Sequence, residues 1–129
     1  MSYGFVLRPR RPRAPEGYSQ DALSEMEAVI ARWPAYKRSD GCWVLCDDYE
    51  RRDEIIAEGT IDQRRHIYDH IRVKAEKVSF EVGRNEEHNR MFAAFISWSI
   101  SKWPGDFYDE FDRPRTMTEF LRDMSPDQP

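Results

Sequence analysis

Residues 71–83 read Ile-Arg-Val-Lys-Ala-Glu-Lys-Val-Ser-Phe-Glu-Val-Gly. Ile71, Val73 and Ala75 alternate with charged residues, and Val78, Phe80 and Val82 alternate with Ser79 and Glu81. A period of two marks a strand with one buried face. With Glu76 and Lys77 as the loop, Ala75 faces Val78, Val73 faces Phe80 and Ile71 faces Val82. All six apolar side chains then share one face. A one-sided apolar hairpin must be covered, and the cover follows directly. After Asn85, a good N-cap, Met91, Phe92, Phe95, Ile96, Ser99 and Trp103 recur three and four apart. Pro104-Gly105 ends that helix, expected over 86–103.

The same stretch admits a rival. Thr60 and Gln63 make a capping box, and Ile61, Tyr68, Ile71, Ala75 and Val78 fit a helical stripe. A helix over 61–77 therefore competes with the hairpin. The strict alternation and the β-branched Val73, Val78 and Val82 favour the hairpin. Glu76-Lys77 is a poor two-residue turn, which weighs against it.

The remaining segments fall around this unit. Residues 3–7 read as a short strand. Four arginines (Arg8, Arg10, Arg11, Arg13) and three prolines then open an extended connector over 8–18, where proline removes hydrogen-bond donors. Ser19 caps a helix over 20–33 carrying Ala22, Leu23, Met26, Val29, Ile30 and Trp33, stopped by Pro34. Asp40-Gly41 is a turn. Residues 42–46, Cys-Trp-Val-Leu-Cys, form a strand buried on both sides at its centre. Asp47-Asp48 starts a short helix with Ile55 and Ile56 that ends at Gly59. Thr116 and Glu119 make a second capping box, opening a short helix with Phe120 and Leu121. Residues 125–129 form a frayed tail. The expected fold is a single α+β domain over 1–129. Its small antiparallel sheet has strands near 3–7, 42–46, 70–75 and 78–83, packed by helices near 20–33 and 86–103.

Composition sets the outer limits. The 129 residues suffice for one core without disulfides or metal. A mean hydropathy of −0.84 and 34% charged residues indicate a soluble chain. No apolar run spans a bilayer and no apolar core follows the N-terminal arginines, so the expected location is cytoplasmic. In a strand, Cys42 and Cys46 lie about 13 Å apart, beyond disulfide reach. Net charge is −4 but uneven. Residues 1–38 hold seven Lys/Arg against four Asp/Glu, while 39–129 hold thirteen against twenty. That balance disfavours general nucleic-acid binding, and no aromatic interleaves the arginines to stack a base.

No catalytic motif is present: no phosphate loop, nucleophile elbow or His-Glu-x-x-His helix. His66 and His70, set beside Cys42 and Cys46, superficially suit zinc, but the cysteines sit in an apolar strand, so no metal and no cofactor are expected. The acidic pairs are adjacent only in sequence. His88, in the first turn of a helix, or His66 supplies the imidazole in an alternative reading as a small α+β enzyme using dispersed acids. A second alternative is a regulatory module using the arginine arm on nucleic acid.

Residues 106–112 read Asp-Phe-Tyr-Asp-Glu-Phe-Asp. Amphipathic aromatics among acids are what an anchor-and-rim interface to a basic partner needs. The candidate partner-binding residues are Asp106, Tyr108, Asp109, Glu110 and Asp112, with a neighbouring patch of Asp47, Asp48 and Glu50. Reversing the charge of Asp109 and Glu110 is expected to leave stability almost unchanged. The rival expectation is that Phe107, Tyr108 and Phe111 are simply the end of the core. In size, acidity, strand–hairpin–helix order, its opening Met1-Ser2-Tyr3-Gly4-Phe5 and the segment Phe107 to Pro114, the chain resembles the small cytosolic immunity proteins of bacterial polymorphic-toxin and contact-dependent systems. That resemblance implies a non-enzymatic inhibitor that neutralises a cognate toxin by direct binding. It carries over no functional residue.

Overall fold

The computed structural model describes residues 3–10, 17–45 and 69–124. Among them are six strands: β1 (Tyr3–Pro9), β2 (Ala35–Lys37), β3 (Trp43–Leu45), β4 (His70–Val73), β5 (Val78–Val82) and β6 (Gly105–Asp109). Three helices accompany them: α1 (Gln20–Ile30), α2 (Glu86–Lys102) and α3 (Met117–Asp123). The strands form one antiparallel sheet in the order β2-β3-β4-β5-β1-β6. The α+β expectation holds, with two strands more than the sequence suggested.

The β4–β5 hairpin forms with a different register. Val73 pairs with Val78 and Ile71 with Phe80. The loop is four residues long, closed by Lys74 N–H donating to the Lys77 carbonyl at 3.1 Å. A two-residue loop would have needed residues tolerant of positive φ, which Glu76 and Lys77 are not. The shift is of two residues, so the buried face survives and only Ala75 leaves it. Ala75 lies exposed in the loop, where its carbonyl accepts from Tyr18 N–H at 2.8 Å. Gly17, at φ 50°, lies so close that any β-carbon would strike that carbonyl.

β1 lies between β5 and β6, and runs through Pro9. The expected strand of residues 3–7 is thus two residues longer, because β6 pairs as far as Pro9 with Gly105. Its inward residues, Phe5 and Leu7, join Ile71, Val78, Phe80, Val82 and Phe107 on the face that α1 and α2 cover. From α2 come Phe92, Phe95 and Ile96; from α1, Ala22, Met26 and Ile30; from α3, Phe120. Phe80 meets Phe92, Phe95 and Phe107 edge-on, and Phe5 stacks on Phe107 at 5.4 Å.

The caps behave as the sequence indicates. Ser19 Oγ accepts from Ala22 N–H, Asn85 Oδ1 from His88 N–H, and Thr116 with Glu119 closes a full capping box. α1 stops at Ile30 rather than Trp33. Arg32 and Trp33 bond three residues back instead of four, since a residue before proline resists the α conformation. At the far edge, Gly41 at φ 90° makes the expected turn between β2 and β3. Val44 and Leu45 are adjacent, so they face opposite ways, and both are fully buried. Among the described residues no helix is long and apolar enough to cross a membrane. The expected helix carrying Ile55 and Ile56, the segment 60–68 and the tail 125–129 lie outside the described residues.

Candidate functional site

The acidic–aromatic segment is β6 and the turn after it. Alternation along β6 sends Gly105, Phe107 and Asp109 inward and Asp106 and Tyr108 outward. Asp109 is therefore not a surface charge: only 7% of it is exposed. Its Oδ1 accepts from the backbone N–H groups of Phe111 (2.9 Å) and Arg113 (3.0 Å). Its Oδ2 accepts from Arg113 Nε (3.0 Å) and Arg115 Nε (3.1 Å). Burial alone would push this carboxyl up, but the two backbone N–H groups and the guanidiniums of Arg115 and Arg113 outweigh it and hold its pKa at about 2. The expectation that reversing Asp109 would spare stability is corrected here. A lysine would replace four accepted bonds with a buried cation facing two arginines.

This carboxylate shapes the turn around it. Asp112 adopts φ 60°, a left-handed conformation that aspartate tolerates better than most residues. The chain then doubles back along β6, with Asp109 N–H donating to the Arg113 carbonyl and Arg115 N–H to the Phe107 carbonyl, both at 2.9 Å. That return covers the edge of the sheet. The braced turn presents Phe111, which is 69% exposed, while Phe107, four residues earlier in β6, is core. The Arg113 guanidinium lies 5.2 Å from the Phe111 ring centroid. The sequence segment thus splits: Phe107 ends the core and Phe111 does not.

The other expected contact residues fare differently. Asp106 pairs with Arg10 through two bonds (2.6 and 3.3 Å), and that arginine pulls its carboxyl below the usual range. Asp112 meets Arg8 at 3.4 Å. Tyr108 is half-buried, with the Arg8 guanidinium 5.5 Å from its ring centroid. Glu110 is exposed and makes no ion pair among the described residues. Asp47, Asp48 and Glu50 lie outside the described residues. The surface is therefore less acidic than the sequence suggests, because arginines from β1 and the return segment neutralise most of it. The sequence signal for this was Asp109 with arginines four and six residues on. The sequence did not show that Phe111 lies exposed on this turn.

Two features bear on the enzymatic alternative. His88 Nδ1 lies 2.9 Å from Asp69 Oδ2, and Asp69 Oδ1 accepts from Gly83 N–H at 2.8 Å. Asp69 and His88 are 9% and 4% exposed. Asn89 Nδ2 reaches the carbonyls of Gly83 (3.2 Å) and Met124 (3.4 Å). Together these bonds tie the start of α2 to the sheet and to the end of α3. A carboxylate-oriented imidazole is a familiar catalytic pairing, but one buried this deeply serves packing better than substrate. Cys42 is free and buried, its thiol pushed up by burial, which makes it a poor nucleophile. Among the described residues no group of three His, Cys, Asp or Glu could hold a metal ion; His66 and Cys46 lie outside them. Of the arginine arm, Arg8 and Arg10 are engaged with Asp112 and Asp106, and Arg11 and Arg13 lie outside the described residues.

No protein-family model matches this chain, and no curated protein or solved structure matches it significantly.

Proposed function

We propose that this chain is a non-enzymatic binding protein that neutralises a partner protein, in the manner of the cytoplasmic immunity proteins it resembles. The observation that carries the reading is Phe111. The Phe111 ring is 69% exposed, and its turn is fixed by four bonds to one buried carboxylate. A rigid, exposed aromatic loses little entropy on binding, which is what an interface anchor requires. Arg113, Glu110 and Asp112 surround it with both signs of charge. The rim therefore favours a partner with mixed charge over a purely basic one, and steering by acidity contributes less than the sequence implied.

The test uses the product of the neighbouring reading frame in the native genome as the partner. Binding by calorimetry and rescue of growth during co-expression should both depend on Phe111. Phe111→Ala should weaken binding by about 2 kcal/mol or more, a typical anchor effect, without changing the fold. Unchanged affinity in a folded Phe111→Ala variant of a chain that does bind would remove this turn from the interface. Absence of binding and of growth rescue with that product would count against the neutralising role itself.

A further inference from the structure

Beside the Phe111 turn is a cavity of about 210 Å³, bounded by the start of β1, the end of β6 and the end of α3. Its apolar lining comes from Tyr3, Phe5 and Met124, and its charged lining includes Arg84, Arg113 and Arg115. A volume of this size takes one amino-acid residue and is smaller than cavities that hold cofactors, which start near about 300 Å³.

The guanidiniums differ in what they have left to give. Arg115 is 20% exposed and divides itself among Asp109, Glu119 and Asp123. Arg113 is 60% exposed and gives only Nε to Asp109. Its two terminal nitrogens have no partner among the described residues; the guanidinium is held by its Nε bond to Asp109, with the Phe111 ring centroid 5.2 Å from its central carbon. A guanidinium fixed this way offers two parallel donors to a carboxylate, the geometry of the strongest charge-assisted bonds. Asp109, Glu110 and Asp123 also line the cavity, Glu110 without an ion pair among the described residues, and they oppose a dianion such as phosphate more than a monoanion.

We propose that this cavity binds the C-terminal residue of a protein chain, its carboxylate on Arg113 and its apolar side chain against Tyr3, Phe5 and Met124. A chain end supplies both groups from a single α-carbon. An internal acid would need a second residue to supply the apolar side chain, in a space whose volume suits one. The assignment rests on the turn being a binding surface, and it names the chemical group that the partner presents there.

The probe is N-acetyl-Gly-Leu with a free carboxylate, titrated into the full chain and followed by amide and arginine side-chain NMR signals. Saturable shifts at Gly4, Phe111 and Arg113 are expected, with millimolar affinity. The same peptide as its C-terminal amide should bind about tenfold more weakly or not at all, since it loses the charge-assisted pair. Arg113→Gln should match the amide in effect, and Arg113→Lys should recover part of the affinity. Equal binding of acid and amide overturns the proposal, as does stronger binding of N-acetyl-Glu-amide or of inorganic phosphate, or no saturable shift at all. The amide comparison needs no variant and so stands if Arg113→Gln disturbs the turn. If Phe111→Ala weakens a protein partner while the acid peptide fails to bind, the interface stands and the chain-end assignment falls. If the acid peptide saturates the cavity while Phe111→Ala leaves the partner's affinity intact, the interface reading falls instead.

Discussion

Two turns in this protein are built around an aspartate and two arginines, and they are inside-out versions of each other. In the β2–β3 turn, Asp40 accepts from Cys42 N–H and pairs with Arg38 and Arg72. There the aspartate side chain is 41% exposed, and Arg38 is buried at 6%. In the turn after β6, the aspartate is buried and Arg113 is outside. The β2–β3 turn buries its cation and leaves a carboxylate in water. The β6 turn buries its anion and leaves a cation and an aromatic ring in water. A buried ion that organises its surroundings is a structural device in both cases. The second leaves an aromatic ring and a guanidinium exposed beside each other.

If this contrast is right, removing the buried carboxylate should cost the most. Asp109→Ala strips the acceptor from two backbone N–H groups and two guanidiniums. It should destabilise by about 2–4 kcal/mol, less than a fully buried pair because Arg113 reaches solvent. Urea unfolding measures it. Asp40→Ala should cost about 1–2 kcal/mol: its carboxylate is 41% exposed and Arg72 one-third exposed, but the buried Arg38 loses a partner. Equal costs at the two sites would erase the distinction between them.

Acid provides a smaller and sharper test. The folded Asp109 carboxyl sits at about 2, below its ordinary value near 4. Its contribution is therefore fully present above the unfolded value and is lost as pH falls from about 4 toward 2. After allowance for solvent screening, the loss should be on the order of 1 kcal/mol. It should appear as an acid-dependent fall in urea midpoint that Asp109→Asn abolishes. The fall persisting in Asp109→Asn would assign it to other carboxylates.

Much of the fold was legible because its periodicities are strong. The alternation at Ile71, Val73, Val78, Phe80 and Val82 identified the buried face even though the register moved, since a shift of two residues preserves faces. Asn85, Ser19 and Thr116 marked helix starts through chemistry that is local to the cap. β2 was not legible: three residues are too few for a period, and Ala35–Lys37 is a strand only because β3 pairs with it. β6 was hidden for another reason. In Asp106-Phe107-Tyr108-Asp109 the inward positions are an aromatic and an acid, and a charged residue in an acidic run looks solvated. The backbone N–H groups of Phe111 and Arg113, together with the guanidiniums of Arg113 and Arg115, stabilise an inward Asp109. Burial in this segment thus reverses the expectation: Asp109 lies inside and Phe111 lies in water.

That reversal leads to the smallest expected stability effect and the most informative one. Phe111 touches little of the core, so Phe111→Ala should change unfolding free energy by less than about 0.5 kcal/mol. Removing an exposed ring could even raise stability slightly, because its burial was never gained. Asp109→Ala, by contrast, leaves the ring in place but frees the turn that carries it. If the turn is a preorganised anchor, both variants should weaken a partner, for different reasons. Phe111→Ala loses contact area and should speed dissociation. Asp109→Ala must order the turn on binding and should show a larger unfavourable entropy with the ring's contacts retained. Calorimetry and dissociation rates on the two variants, each measured where the chain is folded, separate these effects. A Phe111→Ala variant that loses several kcal/mol of stability would show that the ring packs in the protein, and the contrast between the two turns would then lose its functional half.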